Sequence, residues 1–359
     1  MFEEAQLYAP VTRSGDDVTV HLGDDHPGAV DPEYRARRNA LAALAMDWQR
    51  GTPPPIATYT DAEQEVWRIV SAELHNLHLR LACAAYLEGK ERLNLPEDHI
   101  PQLLDVNDML RPLTGFQYVP AAGLVPLLEF YGSLADGIFH STQYIRHHSV
   151  PLYTPEPDVI HEVVGHGNCL AHDRFAALYR LAGQAARRVR TTEALEFVSK
   201  VFWFSLEFGV VREDGAVRTY GAGLLSSYGE IQQIEQAELR PLDVGRMGVQ
   251  TYDITHYQPV LFCAEGFNEI EDVVGTFFAD VERSEFGLSD LLNLPVRREQ
   301  PRAVSADFAM LAHHTELQGE PKDFGHEFQR LGCLNPSCGL ASHPVERGET
   351  IMGQAIAVP

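Results

Sequence analysis

Lysine is nearly missing: Lys90, Lys200 and Lys322 are the only three among 359 residues, and arginine supplies the rest of the positive charge. Asp plus Glu outnumber Lys plus Arg by 51 to 28, for a formal net charge of −23. So acidic a chain is a poor partner for nucleic acid or for an anionic membrane. Cysteine is sparse and odd in number, at five. That excludes a disulfide framework and fits a reducing compartment, the cytoplasm. No stretch approaches roughly eighteen uncharged apolar residues, so no transmembrane helix is expected. The opening MFEEAQLYAP is acidic and lacks a signal-peptide h-region. Internal repeats and low-complexity runs are also lacking.

What is present is ordinary for a globular protein: 45% hydrophobic and 22% charged residues. The length allows one large domain or two moderate ones, with a substantial core. Apolar spacing at Leu41, Leu44, Ala45 and Trp48 predicts a helix through Asp47. Thr60 with Glu63 reads as a capping box, opening a helix expected over 61–87, with a shorter one near 102–111. A β-like run and Gly-containing loop follow at 114–124, then a helix at 126–137 and a strand or strap at 138–146. Helices are expected at 173–190 and within 193–211. Asp214-Gly215 marks a hairpin. A short β segment within 251–267 leads into a helix at 268–280. Helices dominate, so the expected class is mainly α (α+β), with a small β region. Residues 1–25 read as a loose N-terminal arm. After about 285, Pro295, Pro301, Pro321, Pro336 and Pro344 interrupt every periodic pattern, and 286–359 reads as a C-terminal extension of unknown role.

One stretch carries the chemistry: 153–167, YTPEPDVIHEVVGHG. Pro155 and Pro157 stiffen an extended approach, and Asp158 is a plausible helix N-cap. His161, Glu162 and His166 are metal-ligand residue types. A zinc-protease helix spaces its histidines by four; here the interval is five, which is roughly 140° around a regular helix. The two rings can share one metal across opposite flanks of a groove, or over a locally widened turn that Gly165 makes cheap. Otherwise they are two ordinary helix histidines. A third ligand is offered by Glu207 in VFWFSLEFG, where an unpaired carboxylate among apolar residues is costly; a core Glu–Arg pair is the alternative. Two His and one carboxylate with open positions form the facial triad of non-haem iron(II) oxygenases. CLNPSC at 333–338, with His326 and His343, is a weaker zinc pattern because no second C-x-x-C accompanies it.

YIRHHSVPLYTPEPDVIHEVVGH, WFSLEFG and YGAGLLSSYGEIQ resemble the catalytic domain of the tetrahydropterin-dependent aromatic amino-acid hydroxylases, most of all its phenylalanine 4-hydroxylase branch. HPGAVDPEYRARR, IPQLLDV, TGFQYVPAAGL and YQPVLFCAEGF extend the likeness from about 26 to about 285. The family's N-terminal regulatory domain and C-terminal tetramerisation heptads have no counterpart. The resemblance implies a multi-helical basket, a catalytic domain over 26–285, and His161, His166 and Glu207 as iron ligands. Glu162 matches the acid used in oxygen activation. Gly123, Leu124, Val125 and Leu127 match the backbone along the pterin edge, Phe130 the aromatic stacked on the pterin, and His140 the same wall. Arg146 matches the grip on the substrate carboxylate, which a guanidinium fork suits independently. Asp158 is placed to orient it, and Thr154, Ser226 and Gly223 complete that pocket. Trp203, Pro157 and Phe208 match the box around the substrate ring; without the family, plain core is the reading for these. Tyr220 and Glu230 read as loop supports.

Implied cofactors are Fe(II) and a tetrahydrobiopterin-type pterin, with O2 as co-substrate. The implied reaction is hydroxylation of L-phenylalanine to L-tyrosine. Ile254 stands where tyrosine hydroxylases carry an aspartate, and an apolar residue there suits phenylalanine. Phe202 and Gly167-Asn168-Cys169 depart from the family's usual residues beside the ligands, which keeps 3-hydroxylation and tryptophan hydroxylation as alternatives. A zinc hydrolase using Glu162 as base and a non-catalytic amino-acid sensor are the competing classes. The expected assembly is a monomer or weak dimer.

Overall fold

The computed structural model describes residues 9–123, 125–254 and 256–281. Leu124, the 286–359 extension and the CLNPSC pattern lie outside the described residues. About half of the described chain is helical, and the strands form three small sheets, as the composition of predicted elements implies. Strands β1 (Val11–Ser14) and β2 (Asp17–Val20) form an antiparallel hairpin, while β3 (Gln117–Pro120) and β4 (Ile138–Ser141) pair in parallel. The third sheet has the order β6-β5-β8-β7, from β5 (Val210–Glu213), β6 (Ala216–Thr219), β7 (Glu238–Pro241) and β8 (Val260–Ala264). Only β5 and β6 run antiparallel in it. They turn at Asp214-Gly215, both with positive φ (51° and 77°), the geometry an Asp-Gly hairpin turn requires.

Helix starts follow their caps. Asp31 caps Pro32–Asp47 by accepting from the amides of Glu33 and Tyr34. Thr60 and Glu63 form the reciprocal capping box of Asp61–Leu81. The first of these helices ends at Asp47, as its apolar spacing predicts, with Leu44 36% exposed on the outer face. One expectation fails here. The helix expected to reach 87 stops at Leu81 and restarts as Ala84–Leu93, because Ala82 bridges to Thr219 and the Cys83 amide donates to the Thr219 carbonyl at 2.9 Å. The sheet edge thus takes a backbone group the helix would have used. Strand β7 has no expectation to match; its residues ELRP carry no β-branched pattern.

The N-terminal arm is not loose where it is described. Ala9, Val18 and Val20 bury against Ala42, with Ala122 packed on the same cluster. The hairpin therefore covers the loop before residue 124: a Cβ added to Gly123 would lie 2.9 Å from Val11 Cγ2. Cys83, Cys169 and Cys263 are free and buried. Among the described residues no helix is long and apolar enough to cross a membrane.

Candidate metal centre and active site

The five-residue histidine interval is accommodated by a widened turn. Ile160–Gly167 is a π-helix, in which each turn takes up an extra residue, and it carries His161 and His166. Carbonyls of this turn also accept from side chains. Tyr118 Oη donates to the Glu162 carbonyl at 2.8 Å, and Tyr86 Oη to the Val164 carbonyl at 2.9 Å. Asn168 Nδ2 reaches the same Val164 carbonyl at 2.9 Å. Gly165 admits a close approach: a Cβ there would stand 2.7 Å from the Ala222 carbonyl oxygen. Glu207 ends a second π-segment, Trp203–Glu207, that continues the helix Thr192–Phe202.

These two wide turns face one another. His161 Nε2 and His166 Nε2 are 3.0 Å apart. His166 Nε2 is 3.1 Å from Glu207 Oε1, and His161 Nε2 is 3.8 Å from Glu207 Oε2. Each ring is fixed from behind: His161 Nδ1 meets Ser226 Oγ at 2.9 Å, and His166 Nδ1 meets Tyr179 Oη at 2.7 Å. Both Nε2 atoms are thereby turned to one point, as in metal-bound histidines whose other nitrogen is hydrogen-bonded. Glu207 Oε2 is buried without a hydrogen-bond partner. An orphaned carboxylate oxygen beside two converging imidazole nitrogens fits a divalent ion and little else. Glu162 also brings a carboxylate oxygen within 4.8 Å of both histidine nitrogens. Of the two carboxylates, Glu207 is the one with a buried oxygen that lacks a hydrogen-bond partner.

Electrostatics separates the two carboxylates. Burial, then the neighbouring Glu207 and Asp158, push Glu162 well above the usual carboxylate range. Burial pushes Glu207 up as well, but His166 and His161 outweigh it and hold it below its ordinary value. Burial, then the adjacent His166, lowers His161 to about 4, so its imidazole is neutral at pH 7.

Arg146 and Asp158 meet as a buried fork, with Nε–Oδ2 at 2.8 Å and Nη2–Oδ1 at 2.9 Å. Asp158 Oδ1 also accepts from the His161 amide at 3.3 Å, so its cap role and its orienting role coexist. Ser226 lies behind His161, and its Oγ donates to the Gly223 carbonyl at 3.2 Å. The Thr154 hydroxyl is spent on the Glu156 carbonyl at 2.9 Å. Pro157 is exposed, and its carbonyl accepts from Tyr144 Oη.

Trp203 lies against Phe208, with ring centroids 4.5 Å apart, and stacks on Tyr252 at 4.2 Å. Tyr252 was not among the expected residues; a lone aromatic in a turn-rich loop gives no periodic signal. Ile254, on the same loop, is 38% exposed. Tyr179 was missed too, although it lies thirteen residues beyond His166 on the next helix, Asp173–Arg188. On the opposite wall, Phe130 packs edge-on to Phe139, whose ring is 4.6 Å from that of His166. Leu127 opens the helix bearing Phe130 and Val125 is half-buried before it. His140 Nδ1 is 3.2 Å from Ser133 Oγ, and burial lowers its pKa. Glu230, expected to support its loop, accepts from the Gln258 amide at 2.7 Å.

A family profile described as biopterin-dependent aromatic amino acid hydroxylase matches residues 11–289. The chain belongs to this family. The match begins ahead of residue 26 and takes in the hairpin. Phenylalanine 3-hydroxylase of Streptomyces coeruleorubidus is 52% identical over 253 residues, which are 70% of this chain and 91% of that protein. Phenylalanine-4-hydroxylase of Homo sapiens is 40% identical over 268 residues, 73% of this chain but 59% of that longer protein. Among solved structures, phenylalanine hydroxylase of Chromobacterium violaceum with bound iron(III) and 7,8-dihydrobiopterin superposes with a TM-score of 0.59 at 28% identity. That match covers 63% of this chain and 84% of the other. This hydroxylase therefore has the fold and the biopterin-dependent chemistry that the motifs imply.

Proposed function

We propose that this hydroxylase adds one oxygen atom of O2 to the ring of L-phenylalanine, at a ferrous ion held by His161, His166 and Glu207. The observation that carries the reading is the partnerless, buried Glu207 Oε2 beside two Nε2 atoms whose rings are fixed from behind. Bound iron and tetrahydropterin supply the activation of O2. The protein's own groups do the rest. Arg146, oriented by Asp158, has Nη1 left to take the substrate carboxylate. Trp203, Phe208 and Pro157 hold the ring, with Tyr252 stacked on Trp203 and Ile254 on the same loop, and Thr154, Ser226 and Gly223 line the carboxylate end. Phe130 would offer the aromatic face for the pterin, and Gly123, Leu124, Val125, Leu127 and His140 are the further residues that would hold it. Glu162, whose carboxyl burial and the neighbouring Glu207 and Asp158 push above the usual carboxylate range, is the acid placed beside the reacting centre.

The 4-position is the expectation from sequence. The 52% identity to a phenylalanine 3-hydroxylase supports the 3-position as a second reading. The test is incubation of the purified chain with Fe(II), tetrahydropterin, O2 and Phe, Tyr or Trp in turn, with product isomers separated by chromatography. A tyrosine isomer formed only with pterin is the expected result. Peptide cleavage with zinc and no pterin-dependent product would overturn it. A cytoplasmic monomer or weak dimer, with the catalytic domain ending near 285, completes the proposal.

A further inference from the structure

A second cluster of metal-ligand side chains lies outside the buried centre. Asp31, His147 and His148 each bring one donor atom within 4.8 Å of the others. Asp31 divides its work: Oδ1 caps the helix Pro32–Asp47, accepting from the Glu33 and Tyr34 amides at 2.8 and 3.0 Å, while Oδ2 faces His147 Nε2 at 3.1 Å. His147 is fixed from behind. Its Nδ1 lies 2.7 Å from Ser149 Oγ, and the edge of Tyr34 packs on its ring at 5.0 Å. The Ser149 amide also donates to Nδ1 at 3.3 Å, so without an ion Nε2 carries the ring proton toward Asp31; ion binding moves that proton to Nδ1, where Ser149 Oγ is placed to accept it.

His148 is the unusual member. Consecutive side chains in an extended strap point to opposite sides. Here the turn at 148–149 brings both rings to the same side, with centroids 4.3 Å apart and planes tilted by 35°. His148 is exposed and Asp31 is half-buried, so water can fill the remaining positions of an ion. Ligand atoms around a tetrahedral zinc ion are about 3.4 Å apart. The Asp31–His147 pair already meets that spacing, and rotation of the exposed His148 ring closes the set. Two imidazoles and a carboxylate without thiolate suit late first-row divalent ions.

We propose that Asp31, His147 and His148 form a second, solvent-facing site for such an ion, zinc being the representative, separate from the buried His161–His166–Glu207 centre. An ion there ties the strap that follows Arg146 to the start of the helix Pro32–Asp47.

The test is calorimetric titration of the iron-loaded full chain with Zn2+, with iron content followed in parallel. The expected result is one further equivalent of zinc taken up with no loss of iron. Its affinity should fall at least tenfold in His148→Ala, and likewise in Asp31→Asn, which retains a capping oxygen. His75→Ala, at the exposed His75–Glu97 pair, should leave the affinity unchanged. Zinc uptake only as iron leaves, or equal affinity in the parent and His148→Ala, would overturn the proposal. Neither outcome bears on the buried centre, whose own test is iron retention.

Discussion

Asp158 grips Arg146 three times: at the backbone amide, at Nε and at Nη2, all between 2.8 and 2.9 Å. The two side chains are 0% and 3% exposed, so neither charge has water as an alternative partner. Removing one partner of a buried pair costs about 3–5 kcal/mol.

Asp158→Asn is therefore expected to lower the unfolding free energy by a few kcal/mol, as read by urea denaturation. It should also raise KM for phenylalanine about tenfold or more, equivalent to about 1.4 kcal/mol of lost orientation. A stability loss with unchanged KM would show that Asp158 braces the strap without serving the substrate.

Tyr179 and Ser226 fix the two histidines through Nδ1. Loss of such partners typically weakens metal binding by about 10–100-fold. Tyr179→Phe keeps the ring and removes only the hydroxyl. Chelator competition should show iron leaving it more readily, with the thermal transition little changed. Unaltered iron affinity would mean that the hydroxyl does not tune the ligand.

Gly165→Ala places a methyl group 2.7 Å from the Ala222 carbonyl. Overpacking of this kind costs about 1–3 kcal/mol. Because Ala222–Ser226 also carries Ser226, the variant should both melt earlier and hold iron less tightly. An unchanged melting temperature would contradict the close packing.

Glu230 has a pH signature. Burial raises its pKa from 4.5 to about 7, opposed by the bond from the Gln258 amide. A carboxyl raised in the folded state stabilises fully below its unfolded pKa, and that contribution is lost as pH rises through the folded value. Glu230→Gln keeps an oxygen for the amide and removes the titration. Its melting temperature, relative to the parent's, should climb between pH 5 and pH 8. A pH-independent difference would contradict the raised pKa.

Much of the site was legible because it is written in local terms. Thr60 and Asp214-Gly215 act on neighbours within three residues, and the fold uses each as the sequence implies. The five-residue interval between His161 and His166 left a widened turn as one of its open readings, and the fold takes that one. Residues that act across the fold were not legible. Tyr118 and Tyr86 look like core aromatics, yet their hydroxyls donate to carbonyls of the π-turn. The break at Ala82-Cys83 depends on Thr219, more than 130 residues later. Nor does residue type reveal that Ser226 Oγ meets His161 Nδ1.

The most direct measurement is the iron content of Glu207→Ala beside the parent, both reconstituted with Fe(II) and passed through a desalting column. The parent should retain close to one iron per chain, and the variant almost none while keeping its helical circular dichroism. Equal iron in the two proteins would mean that the carboxylate at 207 does not hold the metal, and the proposed centre would have lost its third ligand.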